Sequence, residues 1–266
     1  MSLRDHLHDV VAAVLGRERA LLCTDFDGTL VPIEDDPARC ILDDATRRVL
    51  AGLHRPPRLH VAVVSGRRLA DVRQRVGIDG LIYAGNHGLE IEGGGLAFRE
   101  PVASSLRGAI ASLAAELAAA IAGIEGAWLE PKSLTCTIHF RRVRAEAVAG
   151  LREAVARTAA RAVVAGLVQL RAGKSVIEVR PLVAWDKGSA FKRIGDACGC
   201  DPDGRLFIGD DDTDEDAFRA GRESITIRVG PSGAGSAARY IATVDDIMAL
   251  LSALHRELAN ESPSPP

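Results

Sequence analysis

Residues 21–31 read Leu-Leu-Cys-Thr-Asp-Phe-Asp-Gly-Thr-Leu-Val, and this stretch decides the fold. An apolar run stops abruptly at two carboxylates, Asp25 and Asp27, followed by Gly28 and Thr29. A Leu-rich strand can be buried on both faces, as in a parallel sheet. Acids at its carboxyl end then stand at the crevice where open α/β sheets bind ligands. Two negative charges brought together there need a cation or hydrogen bonds to compensate them. A strand followed by a plain acidic turn is the alternative, and the rest of the chain argues against it.

Outward from this stretch the chain keeps a strand–helix rhythm. Leu3, Leu7, Val10, Val11, Val14 and Leu15 recur at helical spacing ahead of the strand. Residues 43–53 predict a helix with Asp43 or Asp44 as its N-cap. Residues 59–64 predict a buried strand that ends in Ser65-Gly66-Arg67, with a helix from near Leu69. Residues 81–84 predict a strand ending at Gly85-Asn86-His87-Gly88, and a hairpin over 89–98 turns at Gly93, Gly94 and Gly95. This order predicts a parallel sheet.

The pattern then changes. A long Ala-rich helix over 102–123 precedes strands at 127–131 and 134–140, in which Thr135, Thr137 and His139 alternate with Cys136, Ile138 and Phe140. A helix at 144–161 precedes strands at 166–171 and 175–180. Helix-strand-strand repeated twice is an α+β pattern. Bracketed by Pro101 and Pro181, residues 102–180 read as an inserted second domain, with 1–101 and 181–266 as the α/β core. The βα rhythm then returns with a helix at 187–198, a strand at 205–208, a helix from Asp214, a strand at 224–229 and a last helix at 244–258. The tail 261–266 is expected to be disordered.

Composition bounds the function. The 266 residues are 47 % hydrophobic and 26 % charged, which fits a globular protein. A net charge of −3 gives no basic field for nucleic acid, and an aromatic content of 4 % gives no stacking surface for single strands. Residues 109–124 come nearest to a membrane span, but Glu116 interrupts them, and the N-terminus has no apolar leader. The five cysteines are odd in number and lack zinc-finger spacing, so ordinary thiols in a reducing cytoplasm are expected.

Three strand ends now carry polar clusters and a lysine heads a helix, a set suited to phosphoryl transfer. A nucleophilic carboxylate, Asp25, can form an acyl phosphate and split one hard displacement into two easier ones. Asp27 can protonate the leaving oxygen and later deprotonate water. Magnesium prefers few carboxylates with phosphate oxygens and water, and Asp25, Asp210 and the Asp27 carbonyl supply oxygens of that kind. Ser65 and nearby amides can hold phosphate oxygens, and Lys187 can neutralise charge on phosphate and on Asp25. Residues 209–216, Gly-Asp-Asp-Asp-Thr-Asp-Glu-Asp, follow a buried strand directly, so their mutual repulsion demands a cation. They lack the glycine and terminal glutamate of an EF-hand loop.

On these residues the chain resembles the phosphatases of the haloacid dehalogenase superfamily. Asp25-Phe-Asp27-Gly-Thr29 matches the first motif, Ser65 the second, Lys187 the third, and Gly209-Asp210 with Asp214 the fourth. Within that superfamily it is similar to the trehalose-6-phosphate phosphatases, through Gly-Asn-His-Gly-Leu-Glu at 85–90, Glu-Val-Arg-Pro at 178–181 and Trp-Asp-Lys-Gly at 185–188. The resemblance implies a Rossmann-like core with a parallel sheet plus an inserted α+β cap. It implies Mg2+ bound through Asp25, Asp27, Asp210, Asp211 and Asp214. It implies a sugar-phosphate substrate contacted by Thr29, Gly66, Arg67, Asn86, His87, Glu130, Lys132 and Glu178. A trehalose-phosphate synthase is the partner it suggests. The family's Glu-Asn-Lys-x-x-Ser segment reads Glu130-Pro-Lys132-Ser-Leu-Thr135 here. Asp186 is expected to N-cap the helix carrying Lys187, and Trp185 to anchor packing at the hinge. Rival readings are another sugar phosphate (sucrose phosphate or a glycosyl-glycerate phosphate), a phosphomutase, and a non-catalytic sugar-phosphate regulator.

Overall fold

A computed structural model describes residues 1–34, 37–173, 175–231 and 236–261; the expectation for 262–266 lies outside them. The Leu-rich run forms β1 (Ala20–Thr24), buried at every residue. It is the hub of an eight-stranded sheet. On one side lie β2 (Leu59–Val64), β3 (Ile82–Gly85), β4 (Glu90–Gly93) and β5 (Leu96–Arg99). Beyond the inserted segment, β10 (Arg205–Gly209), β11 (Ile225–Val229) and β12 (Tyr240–Ala242) extend the sheet from the other side of β1. The strands from β12 through β10, β1 and β2 to β3 are parallel, and β4 turns antiparallel to β3. The chain therefore leaves β1 first in one direction and later in the other, so the switch point falls between β1 and β10. Their carboxyl ends deliver Asp25 and Asp210.

Helices cover both faces. On one side α1 (Leu7–Leu15), α2 (Asp44–Leu53), α3 (Leu69–Val76) and α9 (Val244–Glu261) share an apolar cluster with Leu22, Val61 and Ile208. On the other, α7 (Lys187–Ala197) and α8 (Glu215–Ala220) pack Phe191, Ile194 and Phe218 against Cys23 and Phe207. Asp43 is the N-cap of α2, accepting from the amides of Ala45 and Thr46. Asp186 caps α7, accepting from the Ser189 amide at 2.7 Å. Trp185 donates to the Gly88 carbonyl at 2.8 Å and packs on Phe98.

The chain divides into two compact units, 1–98 with 185–266, and 99–184. The second unit has its own core. Its sheet runs β6 (Trp128–Pro131), β7 (Cys136–His139), β9 (Val176–Pro181), β8 (Val168–Gly173), antiparallel throughout. One face packs Cys136, Ile138, Ile177 and Val179 against α5 (Arg107–Ile121) and α6 (Ala145–Val164), through Leu113, Leu117, Leu151 and Val155. The long helix expected over 102–123 is instead two, α4 (Pro101–Ser105) and α5, with Leu106 between them. There the Ser105 hydroxyl donates back to the Val102 carbonyl at 2.7 Å, a local bond that competes with the helical ladder. β12, three residues long, is the strand the sequence did not announce.

All five cysteines are free and buried. Among the described residues no helix is long and apolar enough to cross a membrane.

Candidate active site

The site grows from the ends of β1 and β10. The Asp25 amide still donates to the Ile208 carbonyl at 2.8 Å, extending the β1–β10 ladder by one residue. Its carboxylate is thus set at the carboxyl end of a central strand, 5 % exposed. The chain then folds sharply, with Leu30 and Val31 amides both donating to the Phe26 carbonyl. Gly28 makes this possible at φ +87°; a Cβ there would stand 2.2 Å from Asp210 Oδ2. The missing side chain lets the first loop approach Asp210. Thr29 Oγ1 donates to Asp210 Oδ1 at 3.4 Å.

Lys187, at the first turn of α7 and 3 % exposed, donates at 2.7 Å to both Asp25 Oδ1 and Asp214 Oδ1. Asp214 Oδ2 accepts from the amides of Asp210 and Asp211, each at 3.0 Å. Asp214 is fully buried, and its side-chain hydrogen bonds tie the 209–212 turn to the lysine. Gly209 is required here because a Cβ would meet Asp214 Cγ at 2.3 Å.

Charge is not balanced. Burial, then the neighbouring Asp214 and Asp210, hold the Asp25 carboxyl well above its ordinary value against the pull of Lys187. Burial, with Asp214 and Asp211, pushes Asp210 up to about 7. Asp214 is raised in the same direction, chiefly by burial. For Asp211 burial also acts upward, but Lys187 and the contacts to Thr213 outweigh it and hold it low. Burial alone would lower Lys187, yet Asp214 and Asp25 hold it firmly protonated. One lysine faces several carboxylates, so a divalent cation fits. Carboxylate oxygens of Asp25, Asp210 and Asp214 lie within 4.8 Å of one another, an all-oxygen donor set suited to a hard ion. The side chains of Asp27 and Asp211 are outside that trio.

Asp27 has a different partner. The Arg67 guanidinium grips it through two bonds, Nε to Oδ2 at 2.7 Å and Nη2 to Oδ1 at 2.6 Å. Arg67 in turn donates to Asp71 Oδ2 at 3.1 Å, and Arg75 donates to Asp71 Oδ1 at 2.9 Å. Arg75 reaches the Ala38 and Cys40 carbonyls, and Arg67 the Pro37 carbonyl. This line of alternating charges ties the segment after the acid pair to α3. The i, i+4 spacing of Arg67, Asp71 and Arg75 is a signal that could have shown it, and the sequence reading missed it.

Ser65 is buried and accepts at its hydroxyl from the Arg67 amide at 3.1 Å. Gly66 lies against the His87 ring, where a Cβ would meet Cε1 at 2.5 Å. Asn86 and His87 both take left-handed backbone angles. The Asn86 side chain donates to Glu90 at 2.8 Å. Sequence reasoning also missed Glu215, whose carboxylate accepts from Arg228, Ser236 and the Ala237 amide.

In the other unit, Glu130 Oε2 lies 3.7 Å from Lys132 Nζ, and Glu178 pairs with Arg180. The register brings Glu130, Thr137 and Glu178 into one row across β6, β7 and β9.

The sequence profile of the trehalose-phosphatase family matches residues 23–241. A Mycobacterium tuberculosis protein described as an uncharacterized glycosyl hydrolase is 41 % identical over 215 residues, covering 79 % of this chain and 16 % of the relative. A trehalose-phosphate phosphatase from the same organism is 36 % identical over 234 residues, covering 86 % of this chain and 56 % of the relative. The chain thus spans little more than half of one relative and a small part of the other. The crystal structure of a trehalose-6-phosphate phosphatase related protein superposes with a TM-score of 0.79 at 22 % identity, over 91 % of this chain and 100 % of that one, so it shares the fold. With the profile spanning the chain from the end of β1 to β12, this protein belongs to the trehalose-phosphatase family.

Proposed function

We propose that this chain is a Mg2+-dependent phosphomonoesterase that hydrolyses trehalose 6-phosphate to trehalose and phosphate, the last step of trehalose formation. The observation that carries the reading is Asp25, fixed at the end of β1 and bonded to the buried Lys187, beside the convergent Asp210 and Asp214. Asp25 attacks phosphorus, the bond to the sugar oxygen breaks, and Asp27 gives its proton to that oxygen. Water then attacks phosphorus of the aspartyl phosphate, Asp27 takes the water's proton, and phosphate leaves with Asp25 restored. Lys187 holds Asp25 in line and offsets negative charge on the transferring group. Ser65 and its neighbouring amides supply hydrogen bonds to phosphate oxygens. Mg2+ held by Asp25 and Asp210, with Asp214 behind them, would supply Lewis-acid neutralisation of those oxygens. Glu130, Lys132 and Glu178 are assigned to the sugar.

The test is phosphate release from a panel of sugar phosphates with Mg2+. Trehalose 6-phosphate should exceed sucrose phosphate, glycosyl-glycerate phosphates and hexose phosphates in kcat/KM by at least tenfold. Faster release from another sugar would replace the substrate. Isomerised sugar phosphate without release would indicate a mutase, and no turnover of any ester a regulator.

A further inference from the structure

The alternation of Thr135, Thr137 and His139 with Cys136 and Ile138 sorts β7 into two faces. Cys136 and Ile138 enter the apolar cluster with α5 and α6. Thr137 and His139 stand on the opposite face, and in the strand register Thr137 lies between Glu130 on β6 and Glu178 on β9. Thr137 is 2 % exposed, and its Oγ1 is buried without a hydrogen-bond partner among the described residues. A buried hydroxyl left so is costlier than the methyl of a valine, and such groups are few in folded proteins.

Its neighbours, in contrast, are held. Glu130 Oε2 accepts from His139 Nε2 at 2.9 Å. The His139 ring lies flat on Trp128, with centroids 4.0 Å apart and planes at 4°. Arg180 Nε donates to Glu178 Oε2 at 2.9 Å. Two anchored carboxylates thus flank a hydroxyl that has no bond of its own. Carboxylates only accept, whereas a hydroxyl both donates and accepts. A sugar ring presents adjacent hydroxyls that do both, so this row suits a polyol better than an anionic or apolar ligand.

We propose that Thr137 is a sugar contact, exchanging a hydrogen bond with a ring hydroxyl seated between Glu130 and Glu178. This deepens the sugar assignment above and rests on it. Thr137→Val keeps the shape and deletes the hydroxyl. It should cut kcat/KM for trehalose 6-phosphate roughly three- to tenfold, while turnover of p-nitrophenyl phosphate stays within twofold. Because the wild-type hydroxyl is unpaired in the free protein, Tm should hold or rise, the opposite of what loss of a structural bond produces. Thr137→Ser should restore most of the activity on the sugar substrate. Unchanged kcat/KM in Thr137→Val, or equal losses on both substrates with a lowered Tm, would overturn the assignment while leaving the phosphatase reading intact. Wild-type protein that hydrolyses p-nitrophenyl phosphate but not trehalose 6-phosphate would show instead that the substrate reading has failed, and Thr137 would fall with it.

Discussion

Asp25 and Asp214 share one buried lysine and differ in what else they touch. Asp214 spends its second oxygen on two backbone amides, whereas Asp25 sits beside Asp210 at the strand end. Asp27 is gripped by Arg67. These differences fit the separate roles given to the three acids in the proposed function, and mutation should separate them. Asp25→Asn should abolish turnover, because an amide is not a nucleophile. Asp27→Asn should slow kcat by about 10²–10⁴-fold, the range for a lost general acid–base. Near-normal kcat in Asp25→Asn would refute the aspartyl-phosphate scheme. At this scale the sequence revealed chemistry better than geometry. Two acids after an apolar run are costly enough to announce themselves. That Arg67 would fork onto Asp27 required knowing that the β2 end faces the first loop. Glu215 was hidden because one more acid in an acidic run carries no distinguishing mark, yet it ties Ser236 and Ala237 to α8.

Elements position these side chains through glycine as much as through strand geometry. Gly209 ends β10, and a methyl group there would collide with the Asp214 carboxylate at 2.3 Å. Gly209→Ala should therefore displace Asp214 and with it Lys187. A loss of at least 10²-fold in kcat is expected, since small misplacements at reacting groups cost that much. Ala at Gly108, where nothing lies within 4 Å, is the control and should leave kcat unchanged. Equal activity of the two variants would contradict the close-approach argument. The elements themselves were legible wherever an apolar run was bounded by polar residues. Leu59–Val64 was read to the residue for that reason. Tyr240–Ala242 was not, because three residues carry no period; they become a strand by pairing with β11 and by the bonds that Met1 and Leu3 make to Ile241. The Trp128–His139 stack and the Glu130, Thr137, Glu178 row depend on strand register, which alternation alone does not supply.

On the scale of the whole molecule, each unit has its own core, and the account divides labour between them. In the proposed function the 1–98 and 185–266 unit handles phosphate, which every phosphomonoester has, and discrimination is assigned to 99–184. Glu130→Ala and Lys132→Ala should each weaken transition-state binding of trehalose 6-phosphate by about 1.5–3 kcal/mol, measured as kcat/KM. Hydrolysis of p-nitrophenyl phosphate should change far less; equal losses on both would remove the division. Global stability should also report the site. Without a cation, Asp25, Asp210 and Asp214 have carboxyls raised by burial. The native state then binds more protons than the unfolded chain, so stability falls as pH rises from about 4, where unfolded carboxylates ionise. The fall continues through the Asp210 value of about 7. Mg2+ binds the ionised form, so its gain in Tm should be larger at pH 8 than at pH 6. The same gain at both pH values would contradict the proposed ligands.

The central claim is that phosphate passes through Asp25, and rapid acid quenching tests it most directly. In Asp27→Asn, p-nitrophenyl phosphate still carries a leaving group that needs no proton, while water lacks its general base. Phosphoenzyme should therefore accumulate, and mass spectrometry should place the phosphoryl group on the peptide containing Asp25. One equivalent of p-nitrophenol released with the phosphoryl group on another residue would contradict the account, as would its release with no phosphoprotein at any quench time.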